Sequence, residues 1–170
     1  IIKSSSGQLL AIDLYLSDCV ERVEGNIGFK RLLPKILSPF GELNFDVVIC
    51  THPHLDHFDI DAVPGLLANG NTRVLCSVDC KELVKQLRLE YFKEQITYVV
   101  PGERQVIGDF SIIFTECDHG SGAPDAVGVI VEVDGKSIYE AGDTSLRLDY
   151  AEKISQSLDV LIAPINGAFG

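Results

Sequence analysis

The residues with the clearest chemical potential lie in one short stretch of the sequence, 50–57. It contains His52, His54 and His57, with Asp56 directly before the last of them, and it follows an apolar run. In an extended segment, side chains two residues apart leave the same face, so His52 and His54 can converge on one ion. Imidazole and carboxylate together suit divalent transition metals. The stretch therefore predicts a metal-binding loop after a strand, with a spacing that suits two adjacent ions.

Ordinary surface or capping histidines are the alternative explanation, but the distribution of histidine argues against it. The chain has four histidines, and three of them fall in this stretch. The fourth, His119, follows another apolar run and precedes Gly120 and Gly122, where the backbone can bend sharply. Asp143 follows Gly142 at the end of a further strand-like run. We expect such residues to lie where strand ends meet at the edge of a sheet.

Asp13 interrupts an apolar segment near the start of the chain. An ionised carboxylate is rarely buried without a partner, so this residue needs one. Two interpretations stay open. Asp13 caps the turn that leads to Ser17 and Asp18, or it accepts a hydrogen bond from a metal-binding imidazole.

Length and composition indicate one soluble globular domain. The chain has 170 residues, 46% of them hydrophobic, and no run of about 18 apolar residues that would predict a membrane span. No secretory signal is recognisable, and the opening directly on a strand suggests that a preceding strand is missing. The net charge of -11 argues against a nucleic-acid surface, and two bound divalent cations would offset part of it.

The five cysteines are odd in number and lie mostly in apolar runs. This pattern is typical of free buried thiols in a reducing cytoplasm, and we predict a cytoplasmic protein. Cys50 and Cys117 flank the histidines closely, but we favour imidazole and carboxylate ligands over these thiols.

The remaining sequence predicts strands in meanders with interspersed helices, and hence a layered α/β fold. A surface loop is expected over 25–39, helices over 59–68, 78–89 (capped by Ser77) and 148–157, and a final buried strand over 158–163. Further strands are expected at 1–3, 8–16, 73–76, 96–100, 104–107, 110–116, 126–133 and 136–140, the last two joined by an Asp134-Gly135 turn.

These motifs resemble the metallo-β-lactamase superfamily over nearly the whole chain. The resemblance implies an αββα sandwich and a single domain, 1–170, that lacks terminal elements at both ends. It is carried, in this order, by Thr51-His52-x-His54-x-Asp56-His57, Asp118-His119-Gly120 and Gly142-Asp143-Thr144.

The resemblance also implies a ligand set for two divalent ions, either zinc or manganese. Family members carry a further histidine ligand near the C-terminus, and no histidine follows His119 here. Either the chain is truncated or its second site is incomplete. The first ion would be bound by His52, His54 and His119, and the second by Asp56, His57 and Asp143, with Asp143 bridging.

A finer resemblance points to the ascorbate-6-phosphate lactonase branch of that superfamily. It implies a metal-dependent hydrolase that opens a small anionic sugar lactone with a metal-bridged hydroxide, with Asp56 as ligand and proton shuttle. A phosphodiesterase or phospholipase and a non-catalytic metal-binding homologue remain alternatives. The resemblance rests on Ile12-Asp13-x-Tyr15-Leu16-Ser17-Asp18, Gly28-Phe29-Lys30-Arg31 and Ala163-Pro164-Ile165-Asn166-Gly167.

A phosphorylated substrate would need a local cation, because the net charge of the chain repels it. Lys30, Arg31 and Arg147 are the candidates, and we prefer Arg31 because a guanidinium can bind phosphate through two parallel hydrogen bonds. A solvated surface arginine is the alternative. The expected partner is a small molecule, without nucleic acid or membrane. The oligomeric state stays open, with a homo-oligomer among the alternatives.

Overall fold

Two β-sheets face each other in the computed structural model, which describes residues 1–25, 31–35, 44–154 and 157–165. The first sheet has the strand order β1-β2-β3-β4-β5, with β1 antiparallel to β2 and the other neighbours parallel. Its strands are β1 (Ile2–Lys3), β2 (Leu9–Ile12), β3 (Val47–Cys50), β4 (Arg73–Ser77) and β5 (Ile96–Val99).

The second sheet has the order β10-β9-β8-β7-β6, in which β10 runs parallel to β9 and the other neighbours are antiparallel. Its strands are β6 (Arg104–Ile107), β7 (Phe110–Glu116), β8 (Val127–Val133), β9 (Lys136–Glu140) and β10 (Val160–Ile162).

The helices are short. They are α1 (Cys19–Glu24), α2 (Ala62–Ala68), α3 (Lys81–Gln86) and α4 (Leu148–Ala151), with 3-10 turns at Val78–Cys80, Leu89–Phe92 and Gly120–Gly122. Within the described ranges, no helix combines the length and the apolar character needed to cross a lipid bilayer.

Alternation along β3 shows how the layers are built. Val47 and Ile49 join the apolar core between the two sheets. Val48 and Cys50 join a second core, which contains buried residues of α2 and α3. Because β3 is buried on both faces, its sequence is an unbroken apolar run. On the far side of the second sheet, Ile154 packs against a smaller cluster. The predicted α/β sandwich is therefore confirmed.

The predicted hairpin at Asp134-Gly135 is present, and β1 and β2 also pair antiparallel. The turn between β8 and β9 has positive φ at Asp134 (50°) and Gly135 (71°), as a two-residue type I′ turn requires. The 25–39 loop lies largely outside the described residues, and the preceding α1 was not predicted.

Three local predictions were wrong. The 78–89 helix is interrupted, because Arg88 has φ 55° and ends the α-helical geometry, and Ser77 makes no capping hydrogen bond. The helix predicted over 148–157 is α-helical only as far as Ala151. The final strand, β10, is not buried: its three residues are 45–60% exposed, because it lies at the sheet edge and the described residues do not cover it.

Candidate metal centre

The predicted ligand residues come together where strands of both sheets end. His52, His54, Asp56 and His57 lie in the loop after β3, His119 lies after β7, and Asp143 lies after β9. The N–H of Val127 at the start of β8 donates to the carbonyl oxygen of Thr51 at 3.1 Å. This hydrogen bond joins the two sheets beside the loop that carries three of the histidines.

Three imidazoles form the first donor group. His54 Nδ1 lies 3.0 Å from His52 Nε2 and 3.0 Å from His119 Nε2. Three ring nitrogens that face one another at this distance cannot all carry protons, whereas their lone pairs suit a shared cation. The residues present therefore fit a metal ion.

The pKa values of His52 and His54 favour neutral rings. Burial, followed by the charges of His57 and His119, lowers the pKa of His52 to about 2. Burial and His119 also lower the pKa of His54. Neutral imidazole is the form that binds a metal, so neither ring has to lose a proton at neutral pH.

His57 and Asp143 form a second donor group, which shares His52 with the first. His57 Nε2 lies 3.3 Å from Asp143 Oδ2 and 3.6 Å from Asp56 Oδ2. Asp56 is close, but its side chain is 54% exposed, and the compact group does not include it. The second group therefore consists of histidine and aspartate, with Asp56 at its rim.

The second group differs from the first in charge. Burial alone would lower the pKa of His57, but hydrogen bonds with Asp13 and Asp143 outweigh it and raise that pKa to about 10. The hydrogen bond between His57 and Asp143 lowers the pKa of Asp143. In the metal-free protein, His57 is therefore a cation between carboxylates.

Asp13 contacts both halves of the loop after β3. Its carboxylate accepts from the N–H of Thr51 (2.8 Å), the hydroxyl of Thr51 (2.7 Å) and Nδ1 of His57 (2.7 Å). Of the two interpretations of Asp13, the structure supports the contact to an imidazole. With Nδ1 of His57 donating to Asp13, Nε2 is the nitrogen that faces Asp143.

Sequence reasoning missed the role of Thr51. Its hydroxyl has one proton and donates it to Asp13, so toward His52 Nδ1, 3.0 Å away, the same oxygen can only accept. His52 therefore carries its proton on Nδ1 and presents the lone pair of Nε2 to His54 and His119. The available signal in the sequence was a hydroxyl residue, Thr51, placed between the strand and the first histidine of the loop.

The cysteines behave as expected of free thiols. All five are unpaired and buried, and the donor groups found among the described residues contain none of them. The Sγ of Cys117 lies 3.5 Å from the carbonyl oxygen of Asp143, and burial raises the pKa of this thiol to about 12. It therefore stays protonated and does not act as a thiolate ligand.

Arg31, the preferred candidate for a phosphate contact, is bonded to backbone carbonyl oxygens in this structure. Its Nη2 donates to the carbonyl oxygens of Tyr15 (2.9 Å) and Ser17 (2.8 Å). Arg147 is held between the carboxylates of Asp118 and Asp149. Both guanidinium groups thus have partners within the protein, although Nε of Arg31 makes no hydrogen bond to any residue that the structure describes. Lys30 lies outside the described residues.

The protein is an α/β sandwich in which two facing sheets lie between helices. Its histidine and aspartate donors lie where strand ends meet. The family model described as "Beta-lactamase superfamily domain" matches residues 15–169. The chain belongs to this family.

Curated relatives are similar over most of the chain. The chain is 31% identical to the UPF0173 metal-dependent hydrolase of Korarchaeum cryptofilum, over 73% of this chain and 54% of that protein. It is 29% identical to the corresponding protein of Sulfolobus acidocaldarius, over 94% of this chain and 69% of that protein. The chain thus spans between 54% and 69% of the length of these curated relatives.

Solved structures share the fold. A putative metal-dependent hydrolase from Parabacteroides distasonis superposes with a TM-score of 0.60 at 20% identity, over 78% of this chain and 58% of that one. The metallo-β-lactamase fold protein YhfI of Bacillus subtilis superposes with a TM-score of 0.54 at 20% identity, over 69% of this chain and 48% of that one.

Proposed function

We propose that the chain is the metal-binding part of a metal-dependent hydrolase. The observation that carries this proposal is the convergence of His52, His54 and His119 nitrogens at 3.0 Å, beside the His57–Asp143 pair. The three imidazoles would bind one divalent ion. His57, Asp143 and Asp56 would bind a second, and mixed nitrogen and oxygen donors suit zinc or manganese. The names of the curated relatives support the hydrolase assignment.

Divalent ions bound by these donors would lower the pKa of a water molecule toward about 7 and would polarise the scissile carbonyl. The protein orients the donors. Asp13 holds His57 by Nδ1, and Thr51 holds His52 by Nδ1, so that both Nε2 atoms face the centre. Asp56, exposed at the rim, can take a proton from the attacking water and return it to the leaving oxygen.

We infer that the substrate is a small anionic sugar lactone, such as an ascorbate-6-phosphate-like compound. The resemblance of segments 12–18 and 163–167 to the lactonase branch supports this substrate. His54 and Asp56 are exposed to solvent, so a substrate can reach the donors. The phosphate contact is not assigned to Arg31.

Metal analysis tests the donor set. Replacing His119→Ala should remove bound zinc or manganese as effectively as replacing His52→Ala, although the two residues are far apart in sequence, because each supplies one of three donors. Glu90→Ala, which removes an exposed carboxylate outside both donor groups, is the control. Unchanged metal content in folded His119→Ala protein would refute the shared site.

Hydrolysis by the metal-loaded protein tests the substrate class. Lactones with and without a phosphate, together with phosphodiesters, should be compared at equal metal occupancy. We expect turnover of the phosphorylated lactone. Turnover of phosphodiesters alone would replace the lactonase proposal with a phosphodiesterase, and a metal-loaded protein without any turnover would indicate a binding role.

A further inference from the structure

The loop that follows Asp13, Leu14–Asp18, is held on one side by a buried carboxylate. Asp59 is fully buried. Its Oδ2 accepts from the N–H groups of Leu16 (2.8 Å) and Ser17 (2.7 Å), and its Oδ1 accepts from the Ser17 hydroxyl (2.7 Å). Oδ1 also accepts from the N–H groups at the start of α2. One carboxylate thus joins this loop to the segment directly after His57.

The same loop is held on its other side by Arg31. The guanidinium donates to the carbonyl oxygens of Tyr15 and Ser17, and its carbon atom Cζ lies 4.1 Å from the centre of the Tyr15 ring. Its side chain is 20% exposed, which strengthens these charge-assisted contacts relative to a solvated arginine. The N–H groups of the loop therefore face a negative charge, and its carbonyl oxygens face a positive one.

The backbone of Asp13 explains why such anchoring matters. Asp13 has φ 48°, a left-handed conformation that costs a non-glycine residue on the order of 1 kcal/mol and persists only where its surroundings enforce it. The strand β2 fixes the chain before Asp13, and the Leu14–Asp18 loop fixes it afterwards. A shift of this loop would move the carboxylate that contacts Thr51 and His57.

We propose that Arg31 and Asp59 are positioning residues for the metal centre, acting through the Leu14–Asp18 loop and Asp13. This inference rests on the proposed metal site but not on the reaction or the substrate. It gives Arg31 a role that does not involve a substrate phosphate.

The experiment compares Arg31→Ala and Arg31→Lys with Arg22→Ala in the purified protein. Arg22 is the matched control, because its guanidinium forms an exposed ion pair with Asp61 in the same region and makes no hydrogen bond or ion pair with the Leu14–Asp18 loop. Its one bond to that loop, from its own backbone N–H to the carbonyl oxygen of Asp18, is kept in the alanine variant. Zinc affinity is measured by competition with a chelator, and the ¹⁵N shift of His57 Nδ1 is measured in the metal-free protein.

We expect Arg31→Ala to weaken zinc binding about tenfold, the lower end of the usual effect of residues that orient metal ligands. Arg31→Lys should have a smaller effect in the same direction, and it keeps the test valid if the alanine variant does not fold. The His57 Nδ1 signal should move in both variants and stay in place in Arg22→Ala.

A double-mutant comparison separates positioning from general destabilisation. If Arg31 acts through Asp13, the Arg31 substitution should have little further effect on zinc affinity in an Asp13→Asn background. An equal loss in both backgrounds, or an unmoved His57 signal in the Arg31 variants, would overturn the proposal. Wild-type protein that binds zinc without hydrolysing any substrate would refute the proposed function but not this proposal. If the protein bound no zinc, the His57 signal would still test the role of Arg31.

Discussion

At the scale of single residues, one carboxylate sets the proton positions of two histidines. Asp13 accepts directly from His57 and indirectly determines the tautomer of His52 through the Thr51 hydroxyl. The two rings nevertheless differ in charge. His52 has a pKa of about 2 and His57 a pKa of about 10, because His57 alone bonds to two carboxylates. Metal binding at the two groups should therefore differ in its dependence on pH.

Proton release tests this difference. His57 is protonated at pH 7 to 8, so an ion that binds its Nε2 must displace one proton, and its affinity should rise about tenfold per pH unit up to about pH 10. His52 and His54 are neutral in this range and should release none. Calorimetric titration in buffers of different ionisation enthalpy measures the number of protons. His57→Gln should abolish the release, and an equal release for both ions would contradict the assignment.

At the scale of elements, the site depends on tight turns directly after strands. Gly142 follows β9 with φ 69°, and a Cβ atom built there would lie 3.1 Å from the carbonyl oxygen of Val127 and 3.4 Å from Cys117 Sγ. The absence of a side chain lets the turn that carries Asp143 approach the start of β8. The glycine thus positions the ligand that follows it.

The Gly142→Ala substitution should destabilise the protein and weaken the second metal site. Left-handed geometry alone costs about 1 to 2 kcal/mol, and the contact with Val127 adds to this cost. Gly102→Ala is the matched control, since Gly102 has φ 89° with no atom within 4 Å of the added Cβ. Chemical denaturation measures stability, and zinc titration measures the site. Similar losses of metal affinity in both variants would show that the contact at Gly142 is unimportant.

At the scale of the whole molecule, the two donor groups are unequal in composition. The first has three imidazoles from both sheets, whereas the second has one histidine of its own and an exposed Asp56 at its rim. The net charge of -11 favours cations in general but does not distinguish the groups. That terminal elements lie outside these 170 residues stays a prediction.

We therefore expect the 170-residue chain to bind its two ions with unequal affinity, the second at least about tenfold more weakly, because that ion must displace the His57 proton. Zinc titration of the metal-free chain with a colorimetric chelator measures both constants. Asp143→Asn should abolish the weaker one and spare the tighter one. Two ions held with equal affinity by the unmodified chain would show that no further ligand is required.

Much of this organisation could be predicted from local sequence, because the signals are short-range. The two-residue spacing of His52 and His54 predicted that they share a site, and Asp134-Gly135 predicted its hairpin because that turn requires positive φ. The clustering of histidine indicated a metal site before any contact was known. The 78–89 helix was overpredicted, since its amphipathic pattern carries no sign that Arg88 adopts a left-handed backbone.

Tertiary structure alone decided the contacts between distant segments. Asp13 and His57 are 44 residues apart in sequence, yet a hydrogen bond of 2.7 Å joins them. No local pattern distinguishes an acceptor for imidazole from a turn cap. Arg31 likewise looked free for phosphate, because sequence does not show which carbonyl oxygens a guanidinium will meet. Residue types and their spacing determined which chemistry is available, whereas packing of the two sheets determined which atoms face one another, because hydrogen bonds depend on distances between segments that sequence does not encode locally.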